Sequence, residues 1–358
     1  MNPDDYAIVV GIRRYPGFGR TETEARDLEG PDNDAEAICG WLTAPDKGGV
    51  PIASARLIRS KDFPDPFPNA LVAEPQKQAI LAAFDRLESI AQQHDSQGQG
   101  LRVGRRLYLY MSGHGFAPRR KQAALFTANA TRVRTSHHVH ASDWMEWFYN
   151  AEYFDELVLW IDCCMTFDLS VMPERGGYRI LQGTTGTGKM FTAYAAKPPL
   201  QAVERRMADG LMHGVFTYAL LKGLEGAAAD QDTFEVTSSS LREYLTNAMK
   251  TFLTEQDLQD SSVSKEPDFG ADDPMVFLRV AHLLEFPMQL SFGAAAEGMP
   301  VRIVTGSPLR QAARGIIHHG RFDVALPRAV YFAMVEGLGW IKDFEVTGGQ
   351  DSVVTVGV

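Results

Sequence analysis

Two apolar runs in this chain end in reactive side chains. Leu107-Tyr108-Leu109-Tyr110-Met111 leads into Ser112-Gly113-His114-Gly115, and Leu157-Val158-Leu159-Trp160-Ile161 leads into Asp162-Cys163-Cys164. His114 and Cys164 are 50 positions apart. A thiol attacks carbon as its thiolate, so a nucleophilic cysteine needs a base beside it. Histidine is the side chain whose ordinary pKa suits that task at neutral pH. Gly113 and Gly115 let the backbone around His114 approach a substrate closely. Types and order therefore point to covalent catalysis, with His114 as base and one of two adjacent thiols, Cys163 or Cys164, as nucleophile. On an alternating strand the two face opposite ways, Cys163 into the core.

These groups need elements that bring them together. Both runs are apolar on both faces, as expected of buried parallel strands. In open α/β sheets, reactive groups collect beyond the carboxyl ends of such strands, so His114 and Cys164 are expected across one crevice. The other elements fit a sheet of this kind. Tyr6–Ile12 and Ala55–Ile58 read as strands, as does Met190–Ala196. A helix is expected from Pro31, with Asp32 or Asn33 as its N-cap. Glu74–His94 has helical apolar spacing at Ile80, Leu81, Phe84, Leu87 and Ile90. Asp143–Phe154, His213–Leu224 and Ser238–Leu253 complete the helices. Strands alternating with helices predict an α/β fold, a mostly parallel sheet flanked by helices on both faces. Beyond about residue 283 the pattern changes to short alternating runs between Gly, Pro and charged residues. Those runs predict a small all-β domain, an immunoglobulin-like sandwich. The expected division is 1–281 and 282–358.

Composition narrows the function classes. The chain has 358 residues, 45% of them apolar, and a net charge of −10. An acidic chain without a basic cluster argues against nucleic acid and against an anionic membrane surface. No apolar run reaches the roughly 18–20 residues of a membrane span. The start, Met1-Asn2-Pro3-Asp4-Asp5, has none of the basic and apolar regions of a signal peptide. The three cysteines, Cys39, Cys163 and Cys164, make no disulfide framework, and a reducing cytoplasm is expected.

A cysteine with its histidine about 50 residues upstream is the spacing found in caspases. With Ser-Gly-His-Gly at 112–115 and Asp-x-Cys at 162–164, the chain resembles the caspase-like cysteine peptidases (peptidase C14), in particular their metacaspase and bacterial caspase-homologue branch. The resemblance covers roughly residues 4–280. It implies a caspase-like sheet and a Cys-His dyad of Cys164 and His114. It also implies an oxyanion hole from the backbone amides of Gly115 and Cys164. In metacaspase-like relatives an Asp at the positions of Asp162 and Asp34, with a Ser at that of Ser112, lines the specificity pocket. That implies cleavage after Arg or Lys, since buried carboxylates attract cations. Caspases proper carry Gln where this chain has Asp162. Many relatives follow the nucleophile with His-Ser-Gly, but here Met165-Thr166-Phe167 follows, which puts substrate preference in doubt more than the reaction. By resemblance alone, a role in stress or antiviral defence is implied. A catalytically silent caspase-fold scaffold is the alternative.

Other motifs carry less. Gly183-Thr184-Thr185-Gly186-Thr187-Gly188-Lys189-Met190 nearly matches a phosphate-binding loop. However, Met190 stands where a metal-binding Ser or Thr belongs, and the strand follows the glycines instead of preceding them. His137, His138 and His140 read as exposed loop histidines and not as a metal site. No cofactor is expected. Asp272-Asp273 falls short of a calcium shell, so calcium activation, which some metacaspases need, lacks support. Expected partners are a protein substrate and a regulatory or inhibitory protein docking on the C-terminal domain. Arg175, Arg205 and Arg206 are candidate self-processing sites.

Overall fold

The runs at 107–112 and 157–162 become the two central strands of a six-stranded sheet. The computed structural model describes residues 2–19, 25–165, 186–306, 310–349 and 352–355. The described chain falls into two compact units, Met1–Leu221 with Leu253–Met275, and Lys222–Phe252 with Val276–Val358. The second unit takes in a segment before residue 253 as well as the C-terminal strands.

The first unit is built on β1 (Asp5–Gly11), α1 (Pro31–Thr43), β2 (Ala55–Arg59), α2 (Lys77–Ser96), β3 (Gly104–Ser112), β4 (Gly115–Phe116), β5 (Ala124–Phe126), β6 (His138–Val139), α3 (Ala141–Asn150), β7 (Phe154–Asp162), β8 (Lys189–Tyr194), β9 (Glu204–Arg206), β10 (Met212–Gly214) and α4 (Val215–Lys222). After the chain returns from the second unit, α6 (Glu255–Gln259) and β12 (Asp268–Asp272) complete it; β11 (Glu235–Thr237) and α5 (Ser238–Ala248) lie in between and belong to the second unit. The main sheet has the order β12-β8-β7-β3-β1-β2. Five strands are parallel and β12 is antiparallel at one edge.

Alternation along the parallel strands sends one set of side chains to each face. Ile8, Val10, Leu107, Leu109, Leu157 and Leu159 join a core with Phe84 of α2 and Phe148 of α3. On the other face α1 packs along β1 and β2, and the Tyr110 hydroxyl lies 2.7 Å from Thr217 Oγ1 of α4. Helices therefore cover both faces, as the alternation of elements predicts. The register places Ser112 beside Asp162 and beside Gly11, so β1, β3 and β7 end level and their loops open on one side.

Several boundaries differ from the sequence reading. The N-cap of α1 is Gly30, with Pro31 opening the helix; the proline has no amide hydrogen to satisfy and is pre-set for a first turn. Asp32 and Asn33 lie inside the helix. His213 belongs to β10, and α4 starts at Val215. The β9–β10 hairpin occupies a stretch that reads as loop, and β12 (Asp-Phe-Gly-Ala-Asp) is too polar to advertise a strand. His138 and His140 are buried, not exposed. His138 Nδ1 bonds the Thr135 carbonyl at 2.8 Å, and His140 caps α3 through the Asp143 amide at 3.2 Å. Among the described residues no group of three or more His, Cys, Asp or Glu is placed to hold a metal ion. No described helix is long and apolar enough to cross a membrane.

The second unit pairs β11 with β13 (Val276–Arg279) and adds seven strands: β14 (Phe286–Ser291), β15 (Pro300–Thr305), β16 (Arg310–Ile316), β17 (Arg321–Leu326), β18 (Ala329–Val335), β19 (Trp340–Val346) and β20 (Ser352–Thr355). They form sheets of order β17-β14-β20 and β16-β15-β18-β19. Leu290 from the first sheet and Ile303, Tyr331 and Ala333 from the second share one buried core, which makes a sandwich.

Candidate active site

One cleft is lined by His114, Cys163 and Cys164 together with Asp34, Ser112, Asp162, Glu204 and Gly214. The structure thus brings the candidate dyad and pocket side chains to one cleft, while His137, His138, His140, Arg205 and Arg206 do not line it. The two cysteines are not equivalent there. Cys163 is 2% exposed and belongs to the core. A Cβ added to Gly115 would lie 2.4 Å from its sulfur, so the loop after β3 seals that thiol in. Cys164 is half-buried, and its thiol points to the Ala202 carbonyl, 3.7 Å away. Burial pushes its pKa above the ordinary thiol value, opposed by the Ala202 hydrogen bond. Cys164 rests as a thiol.

His114 is held on two sides. Its Nε2 lies 2.8 Å from the backbone carbonyl of Arg26. A carbonyl only accepts, so Nε2 carries the hydrogen and Nδ1 keeps the free lone pair. The Arg26 loop is itself fixed, with the Arg26 amide donating to Tyr15 O at 3.0 Å and the Leu28 amide to Arg13 O at 2.8 Å. Phe18 stacks on the imidazole at 5.4 Å between ring centroids. Burial lowers the His114 pKa to about 4, against the Arg26 hydrogen bond, which raises it. The resting pair is a neutral imidazole and a neutral thiol. Gly113, just before it, has φ +152°, a backbone conformation that favours glycine.

The acidic side chains lie at the ends of α1 and β7. Asp34 is 1% exposed and Asp162 is 6% exposed. Asp34 accepts from His213 Nδ1 at 2.7 Å, from the Gly214 amide at 3.0 Å and from Ser112 Oγ at 3.5 Å. Asp162 accepts from the Thr217 hydroxyl at 2.6 Å and the Thr217 amide at 3.1 Å. That amide lies in the first turn of α4, where backbone N–H groups have no partner within the helix. Burial raises Asp34 to about 6 although the His213 hydrogen bond lowers it. Burial, then the Asp34 charge, raise Asp162 to about 7. A Cβ on Gly214 would come within 2.0 Å of Asp162 Oδ2, so only glycine there keeps the carboxylate open to the cleft.

Four participants carry no clear signal in the sequence. Glu204 accepts from the Gly30 amide at 2.8 Å and the Glu29 amide at 3.1 Å, so it holds the start of α1 and adds a third carboxylate. His213 reads as a helix start, yet it bridges Asp34 and Asp209, the latter at 3.0 Å. Burial pulls its pKa down, but the two carboxylates overcome this and hold it above the ordinary histidine value. Arg26 acts through its backbone, which no side-chain pattern reveals. Tyr15 is fully buried against the His114 ring. Of the candidate processing sites, Arg205 and Arg206 lie in β9. Arg205 is paired through Nε with Asp257 at 2.9 Å. Arg175 lies outside the described residues, as do Thr166, Phe167 and the first half of the glycine-rich segment at 183–189.

No family model and no curated protein matches the sequence. Among solved structures, the chain is similar to caspase-1 from Spodoptera frugiperda (12% identity, TM-score 0.46, covering 79% of this chain and 93% of that one). It is also similar to a protein from Geobacter sulfurreducens (13% identity, TM-score 0.43, 79% and 100% coverage). A third likeness is to pro-sf-caspase-1 (12% identity, TM-score 0.40, 75% and 92% coverage). At such identity the likeness is one of backbone course, and it assigns no residue a role.

Proposed function

We propose that this chain is a caspase-like cysteine endopeptidase that cleaves after Arg or Lys. The observation that carries this reading is that a half-buried thiol, an imidazole with a free Nδ1 and two buried carboxylates open on the same cleft. A cationic side chain entering beside Asp34 and Asp162 would meet charge-assisted acceptors and displace the proton that their raised pKa values favour. The bond on its carbonyl side would then lie near Cys164.

In this mechanism Nδ1 of His114 takes the Cys164 proton as sulfur attacks the scissile carbonyl carbon. The carbonyl π electrons move to oxygen. The amides of Gly115 and Cys164 are assigned to hold that oxyanion. Register supports the first of them. The Phe126 amide donates to His114 O at 2.9 Å, which makes His114 and Phe126 the hydrogen-bonding pair of the β4–β5 ladder. The next pair, Gly115 with Leu125, is therefore non-bonding, and the Gly115 amide points out of the ladder. As the C–N bond breaks, His114 gives its proton to the leaving amine, and a thioester remains on Cys164. Water attacks it with His114 again as base, releasing the acid and restoring the thiol. Arg26 O keeps Nε2–H in place throughout, so Nδ1 is the only site for the proton in transit.

A peptidyl acyloxymethyl ketone with Arg next to the warhead tests this reading. It is expected to label Cys164 in the wild type and in Cys163→Ala, and the corresponding Asp reagent is not. Labelling that persists in Cys164→Ala would refute the assignment of the nucleophile.

A further inference from the structure

We propose that Tyr15 is a positioning residue for His114, its hydroxyl taking the place of one rung of the β4–β5 ladder. The assignment rests on the peptidase reading above. In an antiparallel hydrogen-bonding pair, both residues exchange N–H and C=O. Here only one of the two bonds is direct, from the Phe126 amide to His114 O. The return bond is interrupted. The His114 amide donates to the Tyr15 hydroxyl at 3.0 Å, and that hydroxyl donates to Phe126 O at 3.1 Å. One oxygen satisfies a donor and an acceptor that would otherwise bond each other.

A bridged pair stands further apart than a direct bond of about 2.9 Å permits. The strand is therefore splayed at His114, the residue whose ring must reach Cys164. The phenol ring fixes the same residue from the side, at 4.7 Å between centroids. Space for the hydroxyl is made by Gly113, where an added Cβ would fall 2.4 Å from the Tyr15 oxygen. Tyr15 comes from the loop after β1, and its own carbonyl anchors the Arg26 amide, whose residue holds Nε2. One buried tyrosine thus sets the backbone of His114 directly and its tautomer through Arg26. It touches no reacting atom in this scheme.

Tyr15→Phe keeps the ring and removes the bridge. The His114 amide and Phe126 carbonyl are then free to bond directly, drawing His114 toward β5. The expected result is a fall in kcat of about 10- to 100-fold, since displacements of about 1 Å at reacting groups cost on that order, with KM unchanged. The alkylation rate of Cys164 by iodoacetamide, mapped by mass to its own peptide, is expected to change its pH profile toward that of His114→Ala. Tyr6→Phe, which removes a tyrosine hydroxyl near the start of β1 and leaves the bridge, is expected to keep the wild-type profile.

The two assignments fail separately. If His114→Ala leaves the alkylation profile of Cys164 unaltered, the dyad is wrong and Tyr15 falls with it. If His114→Ala alters it and Tyr15→Phe does not, only the role of Tyr15 is overturned. Should Tyr15→Phe not fold, the wild-type protein decides. A slowly exchanging Tyr15 hydroxyl proton close to the His114 amide in NMR spectra is expected, and its absence overturns the bridge.

Discussion

His213 Nδ1 lies 2.7 Å from Asp34 Oδ1, both residues are buried, and the other imidazole nitrogen reaches the more exposed Asp209 at 3.0 Å. The proposed specificity pocket therefore contains its own cation. A substrate guanidinium competes there with protons, on Asp34 and Asp162, and with the imidazolium of His213.

That competition has a sign. Asp34 and Asp162, raised to about 6 and about 7, gain charge as pH rises through those values. His213, held above its ordinary value, loses charge at higher pH. All three changes make the pocket more negative. KM for an Arg peptide is expected to fall by about tenfold between pH 5.5 and 8. Over the same range kcat stays level, because His114 at about 4 is already neutral. A KM independent of pH would mean that these carboxylates do not contact the cation.

Asp162→Asn separates binding from stability. A carboxyl raised in the folded state adds stability at low pH and loses it as pH rises through the folded pKa. For Asp162 that loss is complete above about pH 7. The Asn amide oxygen can still accept from Thr217 and carries no charge. The variant is expected to be more stable than wild type at pH 8.5, on the order of 2 kcal/mol, with the difference shrinking at pH 4.5 as pH falls toward the ordinary carboxylate pKa, and with loss of Arg cleavage. Chemical denaturation at the two pH values measures this, and a variant less stable at pH 8.5 would argue against a buried charge at 162.

Gly214→Ala tests the pocket without touching the dyad. The new methyl would overlap Asp162 Oδ2 and push the carboxylate out of line. Cleavage after Arg is expected to fall by at least tenfold, as for a misplaced charged contact of about 1.5–3 kcal/mol. Alkylation of Cys164 is expected to be unaffected. Equal loss of both would show that the substitution disturbs more than the pocket.

Arg205 and Arg206 are poor self-processing sites in the folded chain. They lie in a hairpin strand, Arg205 is paired with Asp257, and the Arg206 guanidinium donates to Gly210 O at 2.6 Å. Cleavage requires an extended, unpaired segment in the cleft. Intact-mass analysis after prolonged incubation is expected to find no cut after either residue, and fragments ending there would show that the hairpin opens.

Legibility in the sequence followed how each feature is encoded. Leu107–Ser112 and Leu157–Asp162 are short apolar runs ending in polar residues, the pattern of buried parallel strands, so the sheet and the opening of His114 and Cys164 on one cleft could be read from them. The separation of Cys163 from Cys164 was expected from strand alternation, but β7 ends at Asp162 and the two thiols part in the bend that follows it. Glu204 and His213 were hidden because Glu-Arg-Arg and Met-His-Gly have no strand periodicity; their hairpin is stabilised by distant partners such as Asp34 and the start of α1. Arg26 was invisible because its backbone does the work. Tyr15 carries no sequence signal, since its hydroxyl has meaning only where β4 and β5 meet.

The most direct test of the central claim is cleavage of three fluorogenic peptides differing only in Arg, Lys or Asp before the scissile bond, using wild type, Cys164→Ala and Cys163→Ala. Turnover of the Arg and Lys peptides by wild type and Cys163→Ala, and none by Cys164→Ala, is the predicted result. Turnover of the Asp peptide alone would contradict the acidic pocket, and turnover surviving in Cys164→Ala would contradict the nucleophile.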